Sequence, residues 1–156
     1  MTATSQSDIA DLAKRLALVE DREAIKELTA RYCWHVTRAE AQAVSELYTA
    51  DGVFEVPGPD GARIETVGRA AILRRLSSMT PGQVCPIVGN HIIEVAGDEA
   101  AGTCAMRNTP RDAEGNFSHV VGFYRDQYRR EDGRWLFAAR RWFIYVPNFD
   151  VGGAEA

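Results

Sequence analysis

The 29 residues from Phe117 to Tyr145, FSHVVGFYRDQYRREDGRWLFAARRWFIY, predict two long strands folded back on each other, and this hairpin decides the fold. Between the strands, Glu131-Asp132-Gly133-Arg134 is an acidic-glycine turn of the kind that hairpins use where a positive φ is needed. Tyr124, Asp126 and Tyr128 fall on one side of the first strand, because side chains alternate along a strand. Buried strands usually have few charges. We therefore expect the hairpin to line a cavity with scattered polar groups, which points to a small-molecule site.

Length and charge limit the classes of protein that the chain can belong to. Its 156 residues fit one domain, residues 1–156, which is large enough for a core and a pocket. We expect the core at about residues 8–146 and a loose or partner-bound tail over residues 147–156. The net charge is −4 and the basic residues are spread out, so nucleic acid is not an expected partner.

The cysteines and the start of the chain indicate the compartment. Cys33, Cys85 and Cys104 are odd in number and far apart, which is typical of small core residues in a reducing cytosol. Residues 1–8 lack the basic start and apolar run of a secretory signal, and no apolar stretch approaches the roughly 20 residues that span a bilayer. We expect a soluble, cytoplasmic protein with no membrane partner.

Helical and strand patterns occupy separate parts of the chain. A long N-terminal helix, or a kinked pair, is predicted from Ser7 or Asp8 onward, and shorter helices are predicted at about 40–48 and 68–76. Strands are predicted at about 53–56, 62–67, 87–95 and 100–108, before the hairpin. Helices first and mostly antiparallel strands after them indicate an α+β fold, in which a curved sheet wraps around the helices. The long helix is predicted from one apolar stripe at steps of three and four: Ile9, Leu12, Leu16, Val19, Ile25, Leu28, Tyr32 and Val36.

Several local signatures occur in one order over roughly residues 20 to 145. Together they resemble the SnoaL-like group of the nuclear transport factor 2-like superfamily. The resemblance implies a cone of strongly bent sheet closed by helices. It implies less about chemistry, because relatives include scytalone dehydratase, polyketide cyclases, ketosteroid isomerase and catalytically silent binding proteins. The signatures are Ala24-Ile25 through Arg31-Tyr32, Leu47-Tyr48-Thr49-Ala50-Asp51-Gly52-Val53, Gly68-Arg69-Ala70-Ala71-Ile72, Gly97-Asp98-Glu99-Ala100, and Asp132-Gly133-Arg134-Trp135 followed by Arg140-Arg141.

The catalytic pair of the dehydratase branch is not at its family positions. The resemblance implies an Asp five residues after Tyr32, where this chain has Thr37, and a His ahead of the Gly-Asp turn, near Pro86. The active site must therefore be rebuilt from other residues.

Three histidines are candidate bases, because imidazole titrates near neutral pH. His91 is a few residues from the family His position, and a bulge at Gly89 would turn it inward; the alternative is an exposed or hydrogen-bonded strand residue. His35 lies one helical turn after Tyr32, so both can face the cone, unless a backbone carbonyl satisfies His35. His119 opens the hairpin and faces either the cavity or the surface.

Polar and aromatic residues complete the candidate site. Asp126 is interpreted either as a member of a structural ion pair with Arg140 or Arg141 or as a base; one of these arginines must face inward and can bind an oxyanion. Trp34, Trp142 and Phe143 are expected to form a wall for a flat ligand. The candidate catalytic residues are His91, His35, Tyr32, Tyr48 and His119, and the candidate substrate-binding residues are Asn90, Trp34, Tyr124, Asp126, Arg141 and Trp142.

The sequence predicts a lyase or isomerase that needs no cofactor. It has no zinc, dinucleotide or phosphate-loop motif. We expect a histidine to move a proton on a hydrophobic, oxygenated, aromatic small molecule, with dehydration preferred over retro-aldol cleavage or ring closure. The alternatives are a noncatalytic binding protein and a small structural subunit of a ring-hydroxylating oxygenase. A homodimer or higher homo-oligomer is expected through the outer face of the sheet.

Overall fold

The computed structural model describes residues 6–58, 62–112 and 114–146. The tail expected to be loose, residues 147–156, lies outside this part of the chain. Three helices and six strands form in the order helix, helix, two strands, helix, four strands. They are α1 (Gln6–Thr37), α2 (Ala41–Glu46), β1 (Tyr48–Pro57), β2 (Arg63–Val67), α3 (Arg69–Leu76), β3 (Pro86–Ala96), β4 (Glu99–Asn108), β5 (Val120–Glu131) and β6 (Arg134–Val146).

The six strands form one sheet in the order β2-β1-β6-β5-β4-β3, so the chain returns from the hairpin to pair with its first strand. The β1–β6 pairing is parallel and the other four are antiparallel. The sheet is mixed and not closed, and the helices pack against it, which confirms the predicted α+β fold. Among the described residues, every helix is too short or too polar to pass through a lipid bilayer.

The predicted hairpin is confirmed by β5 and β6. Asp132 and Gly133 both have positive φ, 49° and 75°, which a two-residue hairpin turn of the primed type requires. Tyr124, Asp126 and Tyr128 are all buried on the inner face of β5. A bulge in the pairing with β6 separates Gln127 from Tyr128.

The apolar pattern of α1 is two stripes and not one. The core contains Ile25, Leu28, Tyr32 and Val36, but Ile9 and Val19, in the first half of the helix, are 57% and 54% exposed. From Val19 to Ile25 is six residues, or about 240° of rotation around a helix. The expectation of one continuous core stripe was therefore wrong, because the second stripe starts on the other side of the helix.

Candidate active site

A buried ion pair occupies the inner face of the hairpin. The side chains of Asp126 on β5 and Arg140 on β6 are both 0% exposed, and Arg140 Nη2 lies 3.7 Å from Asp126 Oδ2. The pair results from strand register, because these two residues are direct partners across the β5–β6 ladder. The Tyr128 hydroxyl donates a 3.0 Å hydrogen bond to the same carboxylate oxygen.

Aromatic rings surround the guanidinium of Arg140. Its Cζ atom lies 3.7 Å from the ring centroid of Tyr124, 4.3 Å from that of Tyr32 and 4.6 Å from that of Phe137. Tyr32 also makes an edge contact with Tyr48, with ring centroids 6.4 Å apart. Rings in these positions stabilise a desolvated cation through their electron-rich faces.

Burial controls the protonation states of the acidic groups in this site. It raises the pKa of Asp126 to about 6, although the charge of Arg140 acts in the opposite direction. Burial likewise raises the pKa of Tyr32 to about 12 and the pKa values of Tyr48 and Tyr124 well above the ordinary value. The tyrosines are therefore protonated at neutral pH, where they serve as hydrogen-bond donors.

His91 reaches this site through a bulge in β3. Residues 90 and 91 together occupy the space between the Gly89–Ala105 and Ile92–Thr103 pairs, and Asn90 takes a positive φ of 51°. The predicted bulge is therefore present. His91 Nε2 lies 2.9 Å from Thr29 Oγ1 on α1, so the imidazole is on the helix side of the sheet.

The hydrogen bond with Thr29 indicates the tautomer of His91. The Thr29 hydroxyl donates a 2.8 Å hydrogen bond to the carbonyl oxygen of Lys26, so its single proton is used and it accepts from His91 Nε2. This leaves Nδ1 as the basic nitrogen. Burial, and then the charges of Arg140 and Lys26, lower the pKa of His91, so the ring is neutral at pH 7.

Several buried polar atoms of this site have no hydrogen-bond partner in the structure. Buried donors of this kind are uncommon in native proteins, because each lost hydrogen bond destabilises the fold by roughly 1–3 kcal/mol. Their concentration around Arg140 marks a place where a polar ligand atom gains several donors at once. The donor atoms are Tyr48 Oη, Arg140 Nε, Arg140 Nη1 and Trp142 Nε1, and the carboxylate oxygen Asp126 Oδ1 is an acceptor that likewise has no partner.

Other sequence-predicted site residues lie elsewhere. His35 was expected to face the cone with Tyr32, but its Nδ1 lies 2.5 Å from Glu40 Oε2, and it lines an outer groove. Trp34 was expected in the cavity wall and is 62% exposed, with Arg38 over its ring. Both expectations were wrong, because only one face of α1 meets the sheet.

The outer face of the sheet holds two more residues expected inside. Arg141 pairs with Glu55 at 3.7 Å and donates a 3.1 Å hydrogen bond to Gln127. Phe143 stacks on the outward-facing Phe123, with ring centroids 4.9 Å apart. The inward residues of β6 are Arg140 and the half-buried Trp142 instead, since alternation allows only one member of each neighbouring pair to face inward.

Two candidates are near the edges of the sheet. Asn90, a candidate substrate-binding residue, is exposed at the bulge on the edge strand β3. His119 is half-buried just before β5, and its Nδ1 is a buried atom without a partner.

Thr29 and Cys104 were not among the site residues predicted from the sequence. Thr29 lies one turn before Tyr32 within an apolar stripe, and this polar interruption was the available signal. Cys104 accepts a 3.8 Å contact from Arg140 Nη2.

The interior of the cone is tightly packed. A cavity of about 570 Å³ lies outside it, in a groove between α1, α2 and the start of β6. The sequence had placed the cavity along the inner face of the hairpin, where the side chains instead pack against each other and against α1. A ligand that reaches Arg140 must therefore displace packed side chains.

Comparison with known proteins supports the fold and the family. The profile of the SnoaL-like domain matches residues 17–141. A search of curated proteins gave no match. A nuclear transport factor 2-like protein with a cystatin-like fold from Novosphingobium aromaticivorans is 30% identical, with a TM-score of 0.77 over 92% of this chain and 94% of that one.

Two further structures show the same fold at lower identity. A protein of unknown function from Mycobacterium tuberculosis is 26% identical, with a TM-score of 0.66 over 92% of this chain and 78% of that one. A Novosphingobium aromaticivorans protein named "Putative Scytalone Dehydratase" is 22% identical, with a TM-score of 0.73 over 90% of this chain and 94% of that one. At 22% identity the likeness concerns the fold alone.

Proposed function

The chain belongs to the SnoaL-like family, and from this premise we propose that it is a lyase or isomerase that needs no cofactor and acts on a hydrophobic, oxygenated small molecule. Proteins of this fold family include isomerases, dehydratases and subunits of ring-hydroxylating oxygenases. Dehydration of an aromatic or polycyclic β-hydroxy ketone is the reaction that the site favours. His91 is the base in this proposal.

The observation that supports the proposal is the group of unpartnered donors beside a neutral imidazole. Arg140 Nε, Arg140 Nη1 and the Tyr48 hydroxyl make no hydrogen bond with the protein. Fixed donors stabilise negative charge on a substrate oxygen more than solvent does, once the substrate has displaced the side chains packed around them. The positive charge of Arg140 also lowers the pKa of His91, which places the two groups within electrostatic range.

The proposed steps balance as an elimination of water. His91 Nδ1 removes a proton from the carbon next to the substrate carbonyl, and the electrons of that C–H bond form an enolate. Arg140 and Tyr48 hold the enolate oxygen. The enolate then re-forms the carbonyl and expels the β-hydroxyl, which takes the proton from the imidazolium and leaves as water. Rings such as Tyr32, Tyr124 and Trp142 favour a flat substrate.

The test begins with a library of aromatic and polyketide-like hydroxy ketones. A ligand that binds only the folded state raises the melting temperature, and each hit is then assayed for consumption by absorbance. We expect His91→Gln to lower kcat at least a hundredfold, which lies within the range for a lost acid–base group. His35→Gln is the matched control, because His35 lies outside the cone and should keep wild-type turnover.

The pH profile tests the base independently of the substitution. Because the pKa of His91 is lowered, kcat/KM should rise with pH to a plateau, with its midpoint below the ordinary pKa of histidine. Thr29→Val removes the acceptor of the Nε2 proton and frees the other tautomer, so it should lower kcat more than KM. Full activity of His91→Gln on a consumed substrate would show that His91 is not the base.

The packed interior favours a second candidate, a binding protein without catalysis. Arg140 fills the space between three rings at 3.7–4.6 Å, which leaves less room than a solvent-filled pocket does. In that case a library hit would raise the melting temperature and remain unchanged after prolonged incubation. Arg140→Met would then weaken ligand binding, and His91→Gln would not.

A further inference from the structure

The N-terminal half of α1 extends beyond the domain. The first buried residue of α1 is Ile25, and residues 6–20 are all exposed except the half-buried Leu18. We call residues 6–20 the protruding segment. At 1.5 Å per residue this segment is about 22 Å long. A helix of about 15 residues is only marginally stable in water without a partner.

The protruding segment carries an apolar stripe with coiled-coil spacing. Steps of three, four and three residues separate its members, as at the a and d positions of two successive heptads. A stripe this regular is unusual on a helix that faces only solvent. Its members are Ile9, Leu12, Leu16 and Val19, which are 57%, 61%, 55% and 54% exposed.

The described part of the domain, residues 6–58, 62–112 and 114–146, leaves this stripe uncovered. The stripe and the core-facing residues that start at Ile25 lie on opposite sides of the same continuous helix, because at about 100° per residue the mean directions of the two sets are roughly 180° apart. Leu18, which is half-buried, lies on the face of the helix that points toward the domain. We therefore infer that the cover of the stripe comes from another molecule.

We propose that the protruding segment pairs in parallel with the same segment of a second copy of this chain. The proposal concerns an interaction surface and does not depend on the proposed enzymatic function. Ile9 and Leu16 take the a positions, and Leu12 and Val19 take the d positions. Each residue then packs beside its own counterpart across the twofold axis.

The charges beside the stripe favour the parallel arrangement. With these heptad positions, Arg15 is at g and Glu20 is at the following e position, which are the positions that form interhelical ion pairs in parallel dimers. The pair Arg15–Glu20 then occurs twice, once on each side of the axis. An antiparallel pair centred on the same stripe would bring the g-position Arg15 of the two copies together near its middle. Like charges there would oppose it.

Disulfide formation between copies tests both contact and direction. Leu12→Cys places a thiol at a position that meets its own counterpart, within the distance that a disulfide requires. Ala10→Cys is the control, because it has a similar place in the sequence but lies on the outer side of the paired helices. Both proteins are oxidised in a glutathione buffer and separated by non-reducing gel electrophoresis. The wild-type protein, treated in the same way, gives the background crosslinking through the three natural cysteines.

We expect a disulfide-linked dimer for Leu12→Cys and none above the wild-type level for Ala10→Cys. Equal crosslinking of both variants, or no crosslinking of either, would overturn the proposal. Crosslinking only in a mixture of Leu12→Cys and Leu16→Cys would overturn the parallel direction. An unchanged melting temperature in both variants shows that the domain itself is intact.

Charge reversal tests the ion pairs. Arg15→Glu places two glutamates together on each side of the parallel pair, and we expect the dissociation constant of this contact to rise several-fold in sedimentation velocity. Arg15→Glu combined with Glu20→Arg restores opposite charges and should recover wild-type association. If the double variant associates no better than Arg15→Glu alone, the assigned pairing is wrong.

Discussion

Arg140 affects the stability of the buried site and, in the proposed function, its chemistry. A fully buried guanidinium needs a negative partner, and Asp126 provides it at 3.7 Å. The desolvation of two charges offsets most of their attraction, so such a pair contributes little net stability. Removing one partner is different, because the other charge then remains buried alone.

This asymmetry gives a prediction for three substitutions. Arg140→Met should lower the free energy of unfolding at pH 7 by about 3–5 kcal/mol, because Asp126 is left unpaired. Asp126→Leu combined with Arg140→Met should recover most of that loss. Arg141→Met is the matched control, since Arg141 faces outward in a partly exposed pair with Glu55, and pairs at the surface contribute up to about 1 kcal/mol. Urea unfolding measures all of them, and an equal loss in Arg140→Met and Arg141→Met would refute the assignment.

Asp126 also predicts a dependence of stability on pH. Its pKa is raised to about 6 in the folded protein by burial, against about 3.9 in an unfolded chain. Between these values the folded state binds more protons, so the contribution of Asp126 is full below about pH 4 and is lost as the pH rises through about 6. Compared with Asp126→Asn, the wild type should lose up to about 3 kcal/mol over this range. Parallel urea curves at each pH give the difference, and identical pH slopes would contradict the raised pKa.

The sequence predicted the inner face of β5 but not that of β6. Tyr124, Asp126 and Tyr128 alternate without interruption, so period two was enough to place them together. On β6 the choice between Arg140 and Arg141 depends on the bulge between Gln127 and Tyr128, which no local pattern shows. The face of the sheet that a residue takes after a bulge depends on strand pairing between distant parts of the chain.

The bulge in β3 is the element that brings His91 to the helix side of the sheet. Val88 and Ile93 both turn their side chains toward the core, although five residues separate them and regular alternation would put them on opposite faces. The extra residue of the bulge between them puts both side chains on the same face of the sheet. The position of His91 therefore depends on the backbone of Asn90.

This backbone gives a prediction for Asn90. A positive φ of 51° is tolerated by Asn and Gly but opposed by the Cβ atoms of other residues, and most strongly by β-branched ones. Asn90→Val should destabilise the fold by about 1–2 kcal/mol, whereas Asn90→Gly should be close to neutral. Glu94→Val is the control, because Glu94 lies on the exposed face of the same strand. Val88→Ala is not suitable, because it would create a cavity. If Asn90→Val and Glu94→Val unfold alike, the backbone of residue 90 is not strained.

Helix α1 shows where a periodic pattern misled the interpretation. Steps of three and four predicted its existence correctly from Ser7 to Val36. The predicted direction of its apolar side chains was wrong, because the six-residue step after Val19 moves the stripe to another side of the helix. The same limit applies to His35 and Trp34, since a helix that packs on one side gives no local sign of which polar residues meet the sheet.

At the scale of the whole molecule, the outer face of the sheet is a second surface suited to self-association. Phe123 and Phe143 stack there, Arg125 lies 5.0 Å from the ring of Phe143, and Arg63 lies 4.4 Å from the same ring. Exposed aromatic and arginine side chains are enriched in protein interfaces. We propose that two copies pair through this face about a twofold axis, as the sequence led us to expect.

Two twofold contacts, one through the sheet and one through the protruding segment of α1, predict a tetramer when their axes cross. Phe123→Asp combined with Phe143→Asp removes the sheet contact and should leave a dimer. Leu12→Asp removes the helix contact and should also leave a dimer. Only the combination of all three should give a monomer of 17.2 kDa.

Phe117→Asp is the control, because Phe117 is exposed outside the sheet. Sedimentation equilibrium measures the masses of the wild type and the four variants. A monomer from either set alone would mean that one surface supports the whole assembly, and a mass that keeps growing with concentration would mean that the two axes do not meet and the contacts form open chains.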